Sequence, residues 1–343
     1  GTRTSTFVEF VDLVPTVLSL AGIDIPKSID GKAFLGKKLK KSELEKRNSA
    51  FGYADRFDEK YDLVRSLRKG KYKYMRNYQP FNVDGLYNFY RYKMLAYKEW
   101  YTLFQDGKLN DIQSQFFKPK SPESLYNIEE DPHETKNLAN DIAYNDILIT
   151  MREQLNNHLM SINDLSFLPE PYFLNNGIDD VVEYSAQNKT LIKKLIETSN
   201  LQLKDYDEVS SQIKNSLNDD NPWVRYWGLI VCSSFGSKAM ENKDKINVIF
   251  ENDSENLVRM RAAEFMLLND IELSDSKINS LLKRSNFEAE ANLMLNTLAN
   301  IKTINPKYKL NLNKNVFPEN WIPPIREENA LVNRRMNYLT ENE

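Results

Sequence analysis

The feature that most restricts what this chain can fold into is an internal repeat in its C-terminal half. Asp219-Asp220-Asn221-Pro222-Trp223-Val224-Arg225 is echoed 34 residues later by Asp253-Ser254-Glu255-Asn256-Leu257-Val258-Arg259, and each copy runs into an apolar helical stretch. A degenerate third copy, Ser285-Asn286-Phe287-Glu288-Ala289-Glu290-Ala291, follows after a slightly shorter interval. An amphipathic helix cannot bury its apolar face alone, so recurrence at such a period predicts helical units that each cover the next. The pattern predicts that the Asp caps its helix and that the Arg reaches a neighbouring unit. Trp223 and Trp227, four residues apart, belong in the core.

This recurrence resembles HEAT-like helical repeats and assigns residues 204–304 to an all-α region. Residues 305–343, with Pro306, Pro318, Pro323 and Pro324, read as an extended tail laid over it.

The chain of 343 residues has room for two or three domains, and 41% hydrophobic with 28% charged residues is an ordinary soluble composition. A net charge of −3 gives no global attraction to nucleic acid or to an anionic membrane. No apolar run approaches the length of a membrane-spanning helix. A single cysteine, Cys232, excludes an intramolecular disulfide framework and a Cys-based zinc site.

Upstream of the repeats the patterning is mixed. The opening has a polar lead-in, a strand-like run (Phe7, Val8, Phe10, Val11) and a helix over Val14–Ala21, with Pro15 near its start and Gly22 closing it. Asp12 is placed to cap that helix. With no initiator Met and no signal-peptide pattern, this stretch reads as the interior of a protein. Residues 1–30 are expected to form a sheet edge without its neighbours, exposing Phe7, Val8, Phe10 and Val11. The Lys-rich stretch Gly36–Lys46 reads as surface.

Ser49–Tyr53 predicts a strand, and Asp62–Arg68 with Lys71–Tyr78 predicts a hairpin around Lys69-Gly70. Ser124–Ile128 supplies another strand, after which Asp131-Pro132-His133-Glu134 turns the chain into a helix. Between them lies a helical, aromatic-heavy insertion, Tyr87–Phe104. An amphipathic helix over Tyr144–Ile162, an extended loop at Leu168-Pro169-Glu170-Pro171 and a short helix over Lys189–Thr198 complete this part.

Several of these segments carry a family resemblance. The opening V-x-F-V-D-L-x-P-T-x-L-x-L-A-G-I (residues 8–23) closely resembles a segment of the formylglycine-dependent sulfatases, members of the alkaline-phosphatase superfamily. So do Ala54–Arg65, Tyr72–Tyr78 and Leu125-Tyr126-Asn127-Ile128-Glu129-Glu130-Asp131-Pro132-His133-Glu134-Thr135-Lys136-Asn137-Leu138-Ala139. The last is similar to the C-terminal subdomain of the bacterial branch often labelled glycosaminoglycan or heparan sulfatases. The order of the segments fits over about residues 5–175. The resemblance implies an α/β plus α+β fold. Residues 1–48 would be the end of a sulfatase-type α/β core and residues 49–203 a small C-terminal sheet subdomain with a helical connector. The HEAT-like region would follow.

The family's activity implies a Cys or Ser in C/S-x-P-x-R, converted to formylglycine, and a calcium ion held by Asp and Asn. Neither the motif nor a metal-ligand cluster is visible here. Cys232 is followed by Ser233-Ser234-Phe235-Gly236 and reads as a buried small residue; no Ser heads S-x-P-x-R. His133 and His158, the only histidines, read as structural or solvent-facing. The segment by itself is therefore expected to be inactive, with no catalytic residue and no metal ligand of its own.

For substrate binding the best candidate is Asp55-Arg56-Phe57-Asp58-Glu59. Arg56 leads and Asp55 is next, because a bidentate guanidinium and a carboxylate can read the anionic groups and hydroxyls of a sulfated sugar. The competing reading is an ion-pair cluster within the loop. The basic run Arg65, Arg68, Lys69, Lys71, Lys73 and Arg76 alternates with apolar residues and reads as a solvated hairpin face rather than a polyanion track. Tyr87, Phe89, Tyr90, Tyr92, Tyr97, Trp100, Tyr101 and Phe104 are suited to packing or to lining a glycan cleft; packing explains most of them.

The expectation is thus the C-terminal portion of a bacterial, periplasmic or extracellular sulfatase acting on sulfated carbohydrate, with the nucleophile and the metal ligands outside this segment. The alternative is a non-catalytic glycan- or protein-binding scaffold derived from a truncated sulfatase. A phosphatase or phosphodiesterase of the wider superfamily is the third reading.

Overall fold

The computed structural model describes residues 3–37, 39–305, 308–321 and 330–340. They combine many helices with a four-stranded antiparallel sheet of order β1-β2-β3-β4. Two compact units divide the chain: Gly1–Tyr53 with Arg65–Arg76 and Ser124–Asn156, and Ala54–Val64 with Asn77–Glu123 and Asn157–Glu343.

In the first unit the expected strand at Phe7–Val11 does not form. No strand lies among the described residues before Ser49; Phe10–Asp12 is instead a 3₁₀ turn leading into α1 (Leu13–Leu20). Asp12 occupies the N-cap position without capping the helix. Its carboxylate accepts from the backbone N–H of Lys32 (2.8 Å) and of Glu9 (3.1 Å). Thr16 Oγ1 accepts from Phe34 N (3.0 Å), so two helix side chains hold the 32–34 segment. Gly31 is needed for this approach, since a Cβ there would lie 1.9 Å from Val11 O. Gly22 (φ +76°) ends the helix in the left-handed region, as its position predicts.

β1 (Ser49–Phe57) is longer than the expected Ser49–Tyr53. It turns at Asp58, whose φ of 50° a non-glycine residue rarely adopts, into β2 (Lys60–Lys69). The predicted hairpin at Lys69-Gly70 is present, joining β2 to β3 (Tyr72–Asn77) with Gly70 at φ 54°. After α2 (Phe89–Lys93) and α3 (Leu95–Gln105), β4 (Glu123–Asn127) closes the sheet through Ile128 N–Lys71 O and Asn77 N–Pro122 O. α4 (Asn145–Ile162) matches the predicted amphipathic helix within a residue.

The second unit holds a row of helices. Leu168–Pro171, expected as an extended loop, instead starts α5 (Glu170–Asn176), with Pro169 as N-cap and Pro171 in the first turn. Next come α6 (Val181–Gln187), α7 (Lys189–Ser199), α8 (Tyr206–Leu217), α9 (Pro222–Phe235), α10 (Lys243–Asn252), α11 (Asn256–Leu268), α12 (Asp275–Lys283) and α13 (Glu288–Ile304). α9 packs between α7 and α11, and α11 packs on α13. α8 and α10 lie against α9 and α11, respectively. Trp223 and Trp227 are buried in this core as predicted, and Trp227 Nε1 donates to Phe167 O at 2.8 Å.

The repeated Asp does not cap its helix. Asp219 Oδ1 accepts from Asn221 N and Asp253 Oδ1 from Glu255 N, both at 3.0 Å, a turn that sets up the helix entry two residues later. The repeated Arg does reach across: Arg225 clasps Asp253 through Nε (2.7 Å) and Nη2 (2.9 Å). Residues 308–313 are extended along α12, where Asn279 Oδ1 accepts from Asn313 N (2.8 Å). The tail is not extended throughout, because α14 (Leu331–Thr340) buries Val332, Arg335, Met336 and Leu339 and packs on α13. Pro306, Pro323 and Pro324 lie outside the described residues.

Candidate functional site

Asp55 and Arg56 lie inside β1, not in a loop after it. Arg56 Nε donates to both carboxylate oxygens of Glu170 (2.6 and 2.8 Å), and its Nη2 also contacts Glu170 Oε2. Arg56 Nη1 donates to Asp58 O (3.0 Å), tying the guanidinium to the β1–β2 turn. Glu170 is presented by the first turn of α5, where the helix dipole favours a carboxylate. Asp55 Oδ2 accepts from Ser166 Oγ at 3.1 Å. Both predicted residues thus meet the segment 166–170, and the Arg56 partner lies 114 residues away rather than within the loop. Their side chains are part-exposed, at 22% for Arg56 and 24% for Glu170. The planar guanidinium is thus held in a bidentate clasp by Glu170 and tied to Asp58 O.

The hairpin tip carries a second layer that sequence reasoning missed. Glu59 is fully buried; it accepts from Phe89 N (2.5 Å) and from Arg334 Nη1 (3.4 Å). Arg335 Nη2 donates to Glu59 O (3.0 Å) and Asn296 Oδ1 (2.9 Å), and its Nη1 donates to Tyr87 O (2.8 Å). Burial pulls the Arg335 guanidinium down to about 10. Buried charges persist only when paired and hydrogen-bonded, and this network meets that condition. Its arginines belong to the stretch read as an extended tail, so no local signal marked them.

Beside it, Lys120 Nζ donates to Asp62 Oδ2 (2.5 Å) and Asp84 Oδ1 (3.2 Å), while Lys60 Nζ donates to Asp84 O (3.1 Å). Burial lowers Lys60 to about 8, against the opposing pull of Asp62 and Asp84. Burial also pushes Asp62 up, but Lys120 and Lys60 outweigh it and hold its carboxyl below the usual range.

The basic hairpin differs from expectation at two positions. Arg65 and Arg76 are buried, sharing the period-two face of Leu63, Leu67 and Tyr74 instead of facing solvent. Of the others, Lys73 pairs with Glu134 (2.8 Å), Lys71 with Glu130 (3.8 Å), and Lys69 donates to Gln154 Oε1 (3.2 Å). A face so paired is a poor polyanion track.

Cys232 is buried in α9 and desolvation pushes its thiol up to about 12, so it holds no thiolate at neutral pH. His133 is exposed in its turn, and His158 is half-buried on α4. Among the described residues no group of three or more His, Cys, Asp or Glu could hold a metal ion. These residues do not fit the calcium or the formylglycine that the resemblance implies, and no bond-breaking step is assigned to them. Nor is any helix among the described residues long and apolar enough to cross a membrane.

No protein-family model matches the chain. Two ulvan-active sulfatases of Formosa agariphila are similar to it. One is 37% identical over 169 residues, which is 49% of this chain and 28% of that protein. The other is 25% identical over 150 residues, 43% of this chain and 28% of that protein. The chain thus covers just over a quarter of each relative's length, and it is related to sulfatases.

Proposed function

We propose that this chain is the C-terminal portion of a sulfatase that hydrolyses sulfate esters (or sulfamates) of a sulfated carbohydrate. What carries the reading, beyond the similarity itself, is the apolar stripe of the opening segment. Phe10 (91% exposed), Leu13, Val14, Val17 (65%) and Leu20 recur at helical spacing and face solvent. A stripe of this kind marks an interaction surface. In this reading it packs against a catalytic α/β region outside these residues, which supplies the formylglycine and the calcium. Residues 1–48 are then the end of that core, residues 49–203 a sheet subdomain with its helical connector, residues 204–304 a HEAT-like repeat region and residues 305–343 its tail. Arg56 and Asp55 stand at the rim toward substrate, in the periplasm or outside the cell.

The test is sulfate release from ulvan, the polymer named for both relatives, by the protein carrying its upstream region. Release is expected, with none from the 343-residue chain alone. An upstream region without C/S-x-P-x-R, or turnover of an aryl phosphate in place of ulvan, overturns the proposal. Binding of ulvan without turnover would instead support a non-catalytic scaffold.

A further inference from the structure

The aromatic insertion divides its residues between two faces of α3. Trp100 stacks on Phe116 (4.6 Å between centroids) and Phe104 on Phe117 (4.7 Å), so this half-buried face packs on the 116–117 turn. Lys98, Tyr101, Thr102 and Gln105, spaced i, i+3, i+4 and i+7, share the other face and line a cavity of about 320 Å³ with Tyr87 and Tyr338. That volume lies at the small end of the range of roughly 300–1,000 Å³ typical of small-molecule sites.

The cavity wall is built in advance. Tyr87 stacks on Tyr338 (4.2 Å, 7° between planes) and on Tyr92 (5.3 Å). Tyr338 shares a hydrogen bond with Thr303 Oγ1 (3.0 Å), and the Lys302 ammonium sits 4.8 Å from its ring. Tyr92 donates its hydroxyl to Gly85 O (2.6 Å). Among the described residues no carboxylate lines the cavity, and the exposed Lys98 forms no ion pair there. A rigid aromatic wall with hydroxyl and amide groups and one unpaired cation suits a sugar ring carrying an anionic group.

We infer that this cavity is a carbohydrate-binding site, separate from the Asp55–Arg56 rim, for one anionic sugar unit of a polymer. The ligand class rests on the sulfated-carbohydrate reading, whereas the site itself does not require that the protein be catalytic.

The test measures binding of the full chain to ulvan and to chemically desulfated ulvan by affinity electrophoresis, with neutral dextran as control. Lys98 and Thr102 are exposed helix positions, so Lys98→Glu and Thr102→Trp should leave the melting curve unchanged. Lys98→Glu is expected to weaken ulvan binding by about fivefold or more, the weight of a lost exposed ion pair plus new repulsion. Thr102→Trp is expected to fill the cavity and abolish the retention it contributes. The inference is overturned if ulvan is not retained, or if both cavity variants bind it as wild type does. Equal retention of desulfated ulvan would remove sulfate, in particular, as the recognised group. Sulfate release by the longer protein fails or succeeds independently of these outcomes, which separates this inference from the proposed activity.

Discussion

α1 and α9 are both apolar helices with a proline in the first turn, yet they meet opposite fates. In α9 nearly every residue from Trp223 to Ser233 is buried, because α7, α8 and α11 cover it on several sides. In α1 only Pro15 and Thr16 are buried, and four of its eight residues (Leu13, Val14, Val17 and Leu20) are large apolar side chains facing water. Apolar composition states only that a surface has to be covered. Whether the cover comes from the chain itself depends on the neighbours, and α7, α8 and α11 supply them for α9.

Four measurements would break or sharpen that contrast. Trp227→Ala should cost about 3–5 kcal/mol in denaturant unfolding, as expected for a large aromatic removed from a closed core. A cost under half of that would mean that the α9 environment is looser than its burial implies. Arg225→Ala should cost about 3 kcal/mol, because it strands the Asp253 carboxylate, whose side chain is only 4% exposed. Lys194→Ala, which breaks the more open pair with Asp219, should cost no more than about 1 kcal/mol. Equal costs for the two would show that the inter-repeat clasp has no special weight.

The third measurement concerns pH. Below pH 8, Lys60 is charged in both the folded and unfolded chains, and its desolvation cost is fully present. Between pH 8 and its ordinary value of 10.5 the folded chain has released a proton that the unfolded chain still holds, so stability gains as pH rises. Relative to Lys60→Met, wild type should therefore gain roughly 1–3 kcal/mol across that window. Parallel curves for the two proteins would show that Lys60 titrates normally.

The smallest effect is expected in α1. Val14→Ser with Val17→Ser should change unfolding stability by less than about 0.5 kcal/mol. The same pair should raise the concentration at which the chain self-associates, as read by light scattering. A stability loss of the size seen at Trp227 would mean that the α1 stripe is covered within this chain after all.

The elements that were legible in the sequence depend on near neighbours. The Lys69-Gly70 hairpin, α4 and α7 follow from turn chemistry and helical periodicity over a few residues. The Arg225–Asp253 clasp was legible because the repeat placed equivalent residues one period apart. The expected strand at Phe7–Val11 failed because a strand needs a neighbouring strand, and among the described residues that run pairs with none, Glu9 bonding locally to Asp12 instead. The β1–β2 turn was missed because Asp58, and not a glycine, takes the left-handed conformation. Arg65 and Arg76 were read as solvent-facing because alternation alone does not tell which face of a hairpin is covered.

The candidate site divides in the same way. Arg56 and Asp55 could be singled out from residue type and family resemblance, but Ser166 and Glu170 could not be assigned to them. The Glu59–Arg334–Arg335 network, spanning some 275 positions of the chain, carried no sequence signal. By itself the sequence determined the kinship with sulfatases, the helical row and most local elements, since these rest on short-range pattern. Only the tertiary structure decided which charges are buried in pairs, which helix face lines the tyrosine cavity and which apolar stripe is left in water. Those outcomes depend on desolvation and on partners that meet in space but lie far apart along the chain.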